Sequence, residues 1–229
     1  MLDCKEIEFI PYSLNTGKFN MDFDEILLNR AIQEATLKPI LRLYGWSPAC
    51  VSLGRNQNEN SVNTDYCKAN NIDIVKRLTG GRALLHDKEL TYSFVCHKDF
   101  LKNGDSVTGS YKEISGALVE GFRLLGIDLE FPIDKKVDSK PEYCMSISTG
   151  ADLSYRGKKL VGSAQFRKEN YILQHGSILF SYDAEKIKNI FGETPDSSKI
   201  TTLNEINPEI DFEQLCESIK SGFEVLMKN

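Results

Sequence analysis

The pattern of apolar and polar positions divides the chain into short strands and a few amphipathic helices. Residues 6–10, Glu-Ile-Glu-Phe-Ile followed by Pro11, predict a short strand. From Asn20 to about Ala35, apolar Met21, Ile26, Leu27 and Ala31 recur among acids and an arginine, which predicts an amphipathic helix. Residues 39–53 predict two strands joined across Trp46-Ser47-Pro48, and a polar loop follows at 54–58. Asn71–Lys76 predicts a strand running into R-L-T-G-G-R-A-L-L-H-D at 77–87, and Glu89–Cys96 predicts a strand leaving it. Helical spacing returns over 111–125, through Ile114, Ala117, Leu118, Phe122 and Leu125, with Gly126 as its stop. Residues 128–131 predict a strand that ends at Pro132.

A charged loop at 134–141 then leads into the stretch that organises the chain, Tyr143–Phe180. Turn signals at Arg156-Gly157 and Lys168-Glu169-Asn170 cut it into two successive β-hairpins. Past Ser181 the pattern turns helical. Asp211 and Gln214 form a capping pair ahead of an apolar stripe at Phe212, Leu215, Cys216, Ile219, Phe223 and Leu226. Helices spread among many short strands predict an α+β fold, with a central mixed or antiparallel sheet and flanking helices. With no repeat and no linker-like tract, residues 1–229 read as one domain.

Composition narrows the class. The chain is 41% hydrophobic and 27% charged, an ordinary globular balance. No apolar run approaches the length of a membrane span, and the start M-L-D-C-K-E-I-E-F has no secretory pattern. A net charge of −5 argues against nucleic acid as the main partner. The six cysteines, at 4, 50, 67, 96, 144 and 216, show neither paired nor zinc-type spacing. They read as reduced thiols of a cytoplasmic protein, with no metal site.

The residues that could carry chemistry keep two readings each. Gly80-Gly81 between Arg77 and Arg82 is either a plain turn or a loop whose backbone approaches a ligand carrying phosphate or carboxylate. Cys144 is either a small buried hydrophobe or a thiolate nucleophile favoured by Lys159 on the adjoining hairpin. Lys159 is either a solvated lysine or that activating cation. His175 is a core or turn histidine, or part of a site wall, and His86 and His97 stand apart from it.

Taken together, R-L-T-G-G-R-A-L-L-H-D-K-E-L-T-Y-S-F (77–94), G-K-K-L-V-G-S-A-Q-F-R (157–167) and L-Q-H-G-S-I-L (173–179) resemble the biotin/lipoate protein ligase and octanoyltransferase superfamily. Within it they are most similar to the octanoyltransferases of the LipM type. Weaker echoes occur at 20–28, 52–57 and 201–205. The resemblance implies that Arg77, Thr79, Gly80, Gly81, Arg82, Ala83, Leu84, Leu85 and His86 line the substrate, with Gly162, Ser163, Ala164, His175 and Gly176. It implies that Cys144, fifteen residues before Lys159, carries the octanoyl group as a thioester. Octanoyl-acyl-carrier-protein would be the donor, and a lipoyl domain or glycine-cleavage H protein the acceptor, with no cofactor. Replacing Lys159 by Ala is then expected to slow acylation and leave the fold intact.

Two departures keep alternatives open. Met145 stands where the family usually has an aromatic residue, and Gly150-Ala151-Asp152 is similar to the Asn-Asp pattern of ATP-using lipoate ligases. In such a ligase ATP and Mg²⁺ would be required, and Cys144 would be incidental. Octanoyl exchange between lipoyl-bearing proteins and a non-catalytic binding module are the remaining readings.

Overall fold

The computed structural model describes residues 6–131, 145 and 152–227. Among the described residues, nine strands form two sheets. β1 (Glu8–Asn15), β2 (Ile40–Trp46), β6 (Glu89–His97), β7 (Leu153–Tyr155), β8 (Lys158–Lys168) and β9 (Tyr171–Leu179) make a six-stranded mixed sheet in the order β1-β2-β6-β9-β8-β7. β3 (Cys50–Leu53), β4 (Asp73–Lys76) and β5 (Leu84–His86) make a three-stranded sheet in the order β4-β3-β5. Among the described strands, β1 pairs with β2 and β3 with β4 in parallel, each bridged by intervening chain long enough for a crossover, and Lys159 adds a single parallel bridge to Ile200. The α+β expectation holds.

Six α-helices among the described residues accompany the sheets: α1 (Gly17–Gln33), α2 (Thr64–Ala69), α3 (Val107–Leu124), α4 (Ala184–Phe191), α5 (Leu203–Ile206) and α6 (Phe212–Leu226). The period-2 alternation of β6 and β9 sorts the packing. Leu90, Tyr92, Phe94 and Cys96 of β6, with Ile172 and Ile178 of β9, face α3 and α6 and join Phe122, Leu215, Ile219 and Phe223 in the largest core cluster. The alternate residues face α1 and the small sheet, and that second side carries the site.

Local chemistry sets the helix ends. Asp211 and Gln214 complete the expected capping box of α6. α1 begins at Gly17, earlier than its apolar periodicity, because the Thr16 side chain accepts from the Phe19 N–H. Its stripe also differs from the expectation. Ile26 is exposed, while Asn20 and Asp24 are buried beside Leu27, Leu28 and Ala31. Those two polar positions meet Arg42, which comes up from β2.

Other expectations shift. β1 continues past Pro11 to Asn15, because β1 is an edge strand whose pairing with β2 breaks register between Ile10 and Ser13. An edge is where a residue without an N–H is tolerated. The strand expected at 128–131 contracts to a single bridge, Glu130 with Ser154. Both hairpin turns fall where expected, with Arg156, Gly157 and Glu169 at positive φ. Tyr143, Cys144 and the loop at 134–141 lie outside the described residues.

The core arrangement gives one stability expectation. Phe223 packs on both Tyr92 and Phe94, at centroid separations of 5.8 and 4.9 Å. Phe223→Ala is expected to cost about 3–5 kcal/mol in urea denaturation, because the cavity opens between α6 and the rigid sheet.

Candidate active site

Arg77, at the end of β4, organises the Gly-Gly loop. Its Nε donates to Thr79 Oγ1 at 3.1 Å, and Nη1 donates to the carbonyl and Oγ of Ser52 at 2.7 and 3.0 Å. Nη2 donates to the carbonyls of Gly80 and Arg82 at 2.9 and 2.7 Å. Those bonds match the five N–H groups of a guanidinium, so this arginine braces its own loop. Gly81 needs its φ of +90° for the turn, and a Cβ on Gly54 would lie 1.9 Å from Gly81 O, so the 54–58 and 77–82 loops close backbone to backbone. Gly80 is exposed at the tip, with open space where a side chain would be.

Two hydroxyl–imidazole–carboxylate chains lead away from Arg77. In one, Thr79 Oγ1 lies 2.7 Å from His175 Nε2, and His175 Nδ1 lies 3.3 Å from Asp24 Oδ2. Asp24 also accepts from Arg42 at 2.9 Å and Tyr44 at 3.0 Å. Burial, followed by the negative charge of Asp24, pushes the Tyr44 phenol well above its ordinary range, so it stays a donor. In the other chain, Ser52 Oγ lies 2.8 Å from His86 Nε2, and His86 Nδ1 lies 3.0 Å from Glu89 Oε1. Trp46 stacks on His86 at 4.0 Å and donates to Thr91 at 2.8 Å. A carboxylate can only accept, so Nδ1 carries the proton in both histidines when the acids are ionised. The two histidines thus tie the loop to α1 and to β6, a link that sequence spacing alone leaves invisible.

Lys159 reaches the same side of the large sheet through a bulge. β7 and β8 pair Leu153 with Val161 and then Ser154 with Lys159, so β8 carries one extra residue, Leu160. Strict alternation from Val161 would turn Lys159 toward α3 and α6. The bulge re-aims it toward the small sheet. There Lys159 is 2% exposed, and its Nζ lies 3.0 Å from Asp152 Oδ2. Asp152 Oδ1 accepts the Ser163 N–H at 3.3 Å. The space a Gly162 Cβ would occupy is closed by Met145 Sδ at 3.0 Å and by Lys159 Cε and Nζ at 3.2 and 3.5 Å. Met145, the chain neighbour of Cys144, is thus buried against Gly162 and the lysine.

The residues expected from the sequence separate into three groups. Lys159, Gly162, Ala164, Thr79 and His175 meet on the face toward the small sheet. Ala83, Leu84 and Leu85 back that face in an apolar cluster with Met145, Val51, Leu53 and Leu179. Ser163 and Gly176 look the other way. Ser163 Oγ bonds Tyr92 Oη at 2.8 Å, and a Cβ on Gly176 would lie 2.6 Å from the Tyr92 ring. The Ser163 backbone N–H, by contrast, donates to Asp152. Arg82 is half-buried, and Cys144 lies outside the described residues. Asp152, Asp24 and Glu89 are the buried acids that complete these networks. Only the Asn-Asp-like pattern hinted at any of them. Among the described residues, no group of three His, Cys, Asp or Glu side chains is placed to hold a metal.

The buried ion pair changes the expected outcome at Lys159. Removing the ammonium takes the charge partner from the buried Asp152 carboxylate, so Lys159→Ala is expected to destabilise the fold as well as slow acylation. Lys159→Met is expected to cost about 3–5 kcal/mol in urea denaturation, and Lys159→Met with Asp152→Asn to recover most of that loss. The described thiols yield a second expectation. Burial raises the thiols of Cys50, Cys67 and Cys96, and burial followed by Glu217 and Glu213 pushes Cys216 up to about 11. Iodoacetamide at neutral pH is expected to spare all four on the timescale of labelling a free thiolate, as read by peptide mass mapping.

Comparison with known proteins identifies the family of the chain. Residues 16–224 match the family model of the lipoyl protein ligase A/B catalytic domain. The octanoyltransferase LipM of Clostridioides difficile is 38% identical over 90% of this chain and 81% of its own. That of Macrococcus caseolyticus is 35% identical over 94% of this chain and 85% of its own. In fold, the chain superposes on lipoate-protein ligase A bound with ATP at a TM-score of 0.77, with 22% identity, covering 97% of this chain and 86% of that one. Likeness at that identity speaks for the fold alone. The match along most of the chain shows that this protein belongs to the lipoyl protein ligase A/B catalytic-domain family.

Proposed function

We propose that this protein is an octanoyltransferase of protein lipoylation, moving an octanoyl group from a thioester donor to a lysine of an acceptor protein through a cysteine thioester. The observation that carries the reading is the Lys159 ammonium, buried and turned by a bulge onto the same face as Gly162, Ala164, His175 and the Gly-Gly loop. A fixed cation in a dry site favours a thiolate over a thiol and an oxyanion over a carbonyl. The octanoyltransferase relatives support the acyl group, and the resemblance at Cys144 supports the nucleophile.

The chemistry runs in two steps. A Cys144 thiolate attacks the donor thioester and takes the octanoyl group at nearly constant bond energy, releasing the donor as its thiolate. The acceptor's lysine amine then attacks the enzyme thioester and leaves an amide, which makes transfer effectively one-way. We assign octanoyl-acyl-carrier-protein as the donor, and a lipoyl domain or the glycine-cleavage H protein as the acceptor. The donor thioester is already activated, so neither nucleotide nor metal is required.

Asp152 moderates the cation. Its carboxylate holds the ammonium in place and partly offsets its charge, so the Lys159 field acts over a short distance. Burial among apolar groups keeps water from screening what remains.

Intact mass after incubation with octanoyl-acyl-carrier-protein tests the reading. The parent protein is expected to gain one octanoyl group, and Cys144→Ser to gain none. A protein that stays unmodified while consuming ATP with free lipoate is a ligase, and the transferase assignment is then wrong.

A further inference from the structure

β9 places Ser177 two residues from His175 and two from Leu179, on the same face of the sheet as both. Ser177 is 1% exposed, and its Oγ has no hydrogen-bond partner among the described residues. A buried hydroxyl without a partner costs free energy, so its persistence at such a position calls for a use. Its neighbours narrow that use. Ser177 pairs directly with Gly162 on β8 and with Thr91 on β6.

Residues directly opposite in an antiparallel pair point to the same side, with Cβ atoms about 5 Å apart. Gly162 has no Cβ, and the position one would occupy lies 3.5 Å from Lys159 Nζ and 3.0 Å from Met145 Sδ. The Ser177 hydroxyl therefore stands on the row next to the space over Gly162 into which the buried ammonium folds. Ser93 has the second unpartnered hydroxyl on this face, but it pairs with His175, one row farther from Lys159. The polar contacts of Thr91 are already committed to Trp46 and Glu89.

We propose that the Ser177 hydroxyl is a catalytic oxyanion donor, binding the acyl carbonyl oxygen together with the Lys159 ammonium. The assignment rests on the octanoyl-transfer reading and adds a residue to it. In the acylation step the attacking thiolate forms a C–S bond to the carbonyl carbon. The π pair moves onto oxygen, where the Ser177 O–H and Lys159 N–H groups hold it. Collapse restores the C=O and breaks the C–S bond to the donor. The departing donor thiolate takes up a proton from solvent, balancing the one released when the enzyme thiol ionised. Ser177 keeps its own proton throughout, so no base is needed beside it.

An idle hydroxyl reserved for the transition state has a distinctive signature. Removing it relieves a desolvation cost in the resting protein and withdraws stabilisation from the reaction. Rapid-quench intact mass with octanoyl-acyl-carrier-protein is therefore paired with thermal denaturation. Ser177→Ala is expected to slow acylation by about 100-fold, mainly in kcat with KM little changed, and to keep or raise Tm. Ser177→Thr, which retains the hydroxyl, is expected to recover a large part of the rate. Parental acylation by Ser177→Ala, when the parent protein acylates normally, overturns the assignment and leaves octanoyl transfer standing. A lost rate with a lowered Tm overturns it too, because the hydroxyl then braces the resting structure. If the parent protein itself gains no octanoyl group, the transfer reading fails and this assignment falls with it.

Discussion

The guanidinium of Arg77 is the constraint on which the site depends. Its planar fork spans the Gly-Gly loop, the neighbouring strand β3 and the hydroxyls that begin two buried chains. A lysine at that position would offer one rotatable centre and could not hold carbonyls from three places at once. The chains that start there end on Asp24 and Glu89, so the loop is referenced both to α1 and to the large sheet. Arg42, fully buried beneath Tyr44 and beside Phe23, supplies the positive charge that lets Asp24 sit in the interior. The loop geometry is thus over-determined, which holds its backbone groups in one arrangement.

A second device is the extra residue in β8. Without it, Lys159 would lie among Leu153, Leu160 and Val161 against the helices, where an ammonium has no partner. With it, the lysine meets Asp152 and shares space with Met145 over Gly162. The bulge and the glycine act together. One turns the side chain, and the other leaves the volume into which it folds.

Much of this could be read from the chain itself, and the physical reasons for the rest are specific. The hairpins of 153–179 were legible because positive-φ turn positions at Arg156-Gly157 and Glu169 interrupt clear alternation. The Gly-Gly loop is legible as a special backbone, but composition cannot say that the five donors of Arg77 turn onto that loop and onto Ser52. Asp24 looked like one more acid on an amphipathic helix. Its burial is decided by Arg42, eighteen residues away on another element. The six-residue helix α2 is too short to show a period, and α3 starts earlier than its apolar spacing because Ser106 caps it. The face of Lys159 depends on one inserted residue, which a count of two cannot reveal.

The polar cluster on the opposite side of the large sheet has its own consequence. Tyr92, Ser163, Gln174 and Ser115 bond one another inside an otherwise apolar core. A slip of one residue between β6, β8 and β9 would pull this set apart and carry His175 and Ala164 into the helices. These four side chains therefore act as a key that admits one alignment of three strands. The fidelity of strand pairing during folding therefore decides whether the face that gathers Lys159, Ala164 and His175 comes into being.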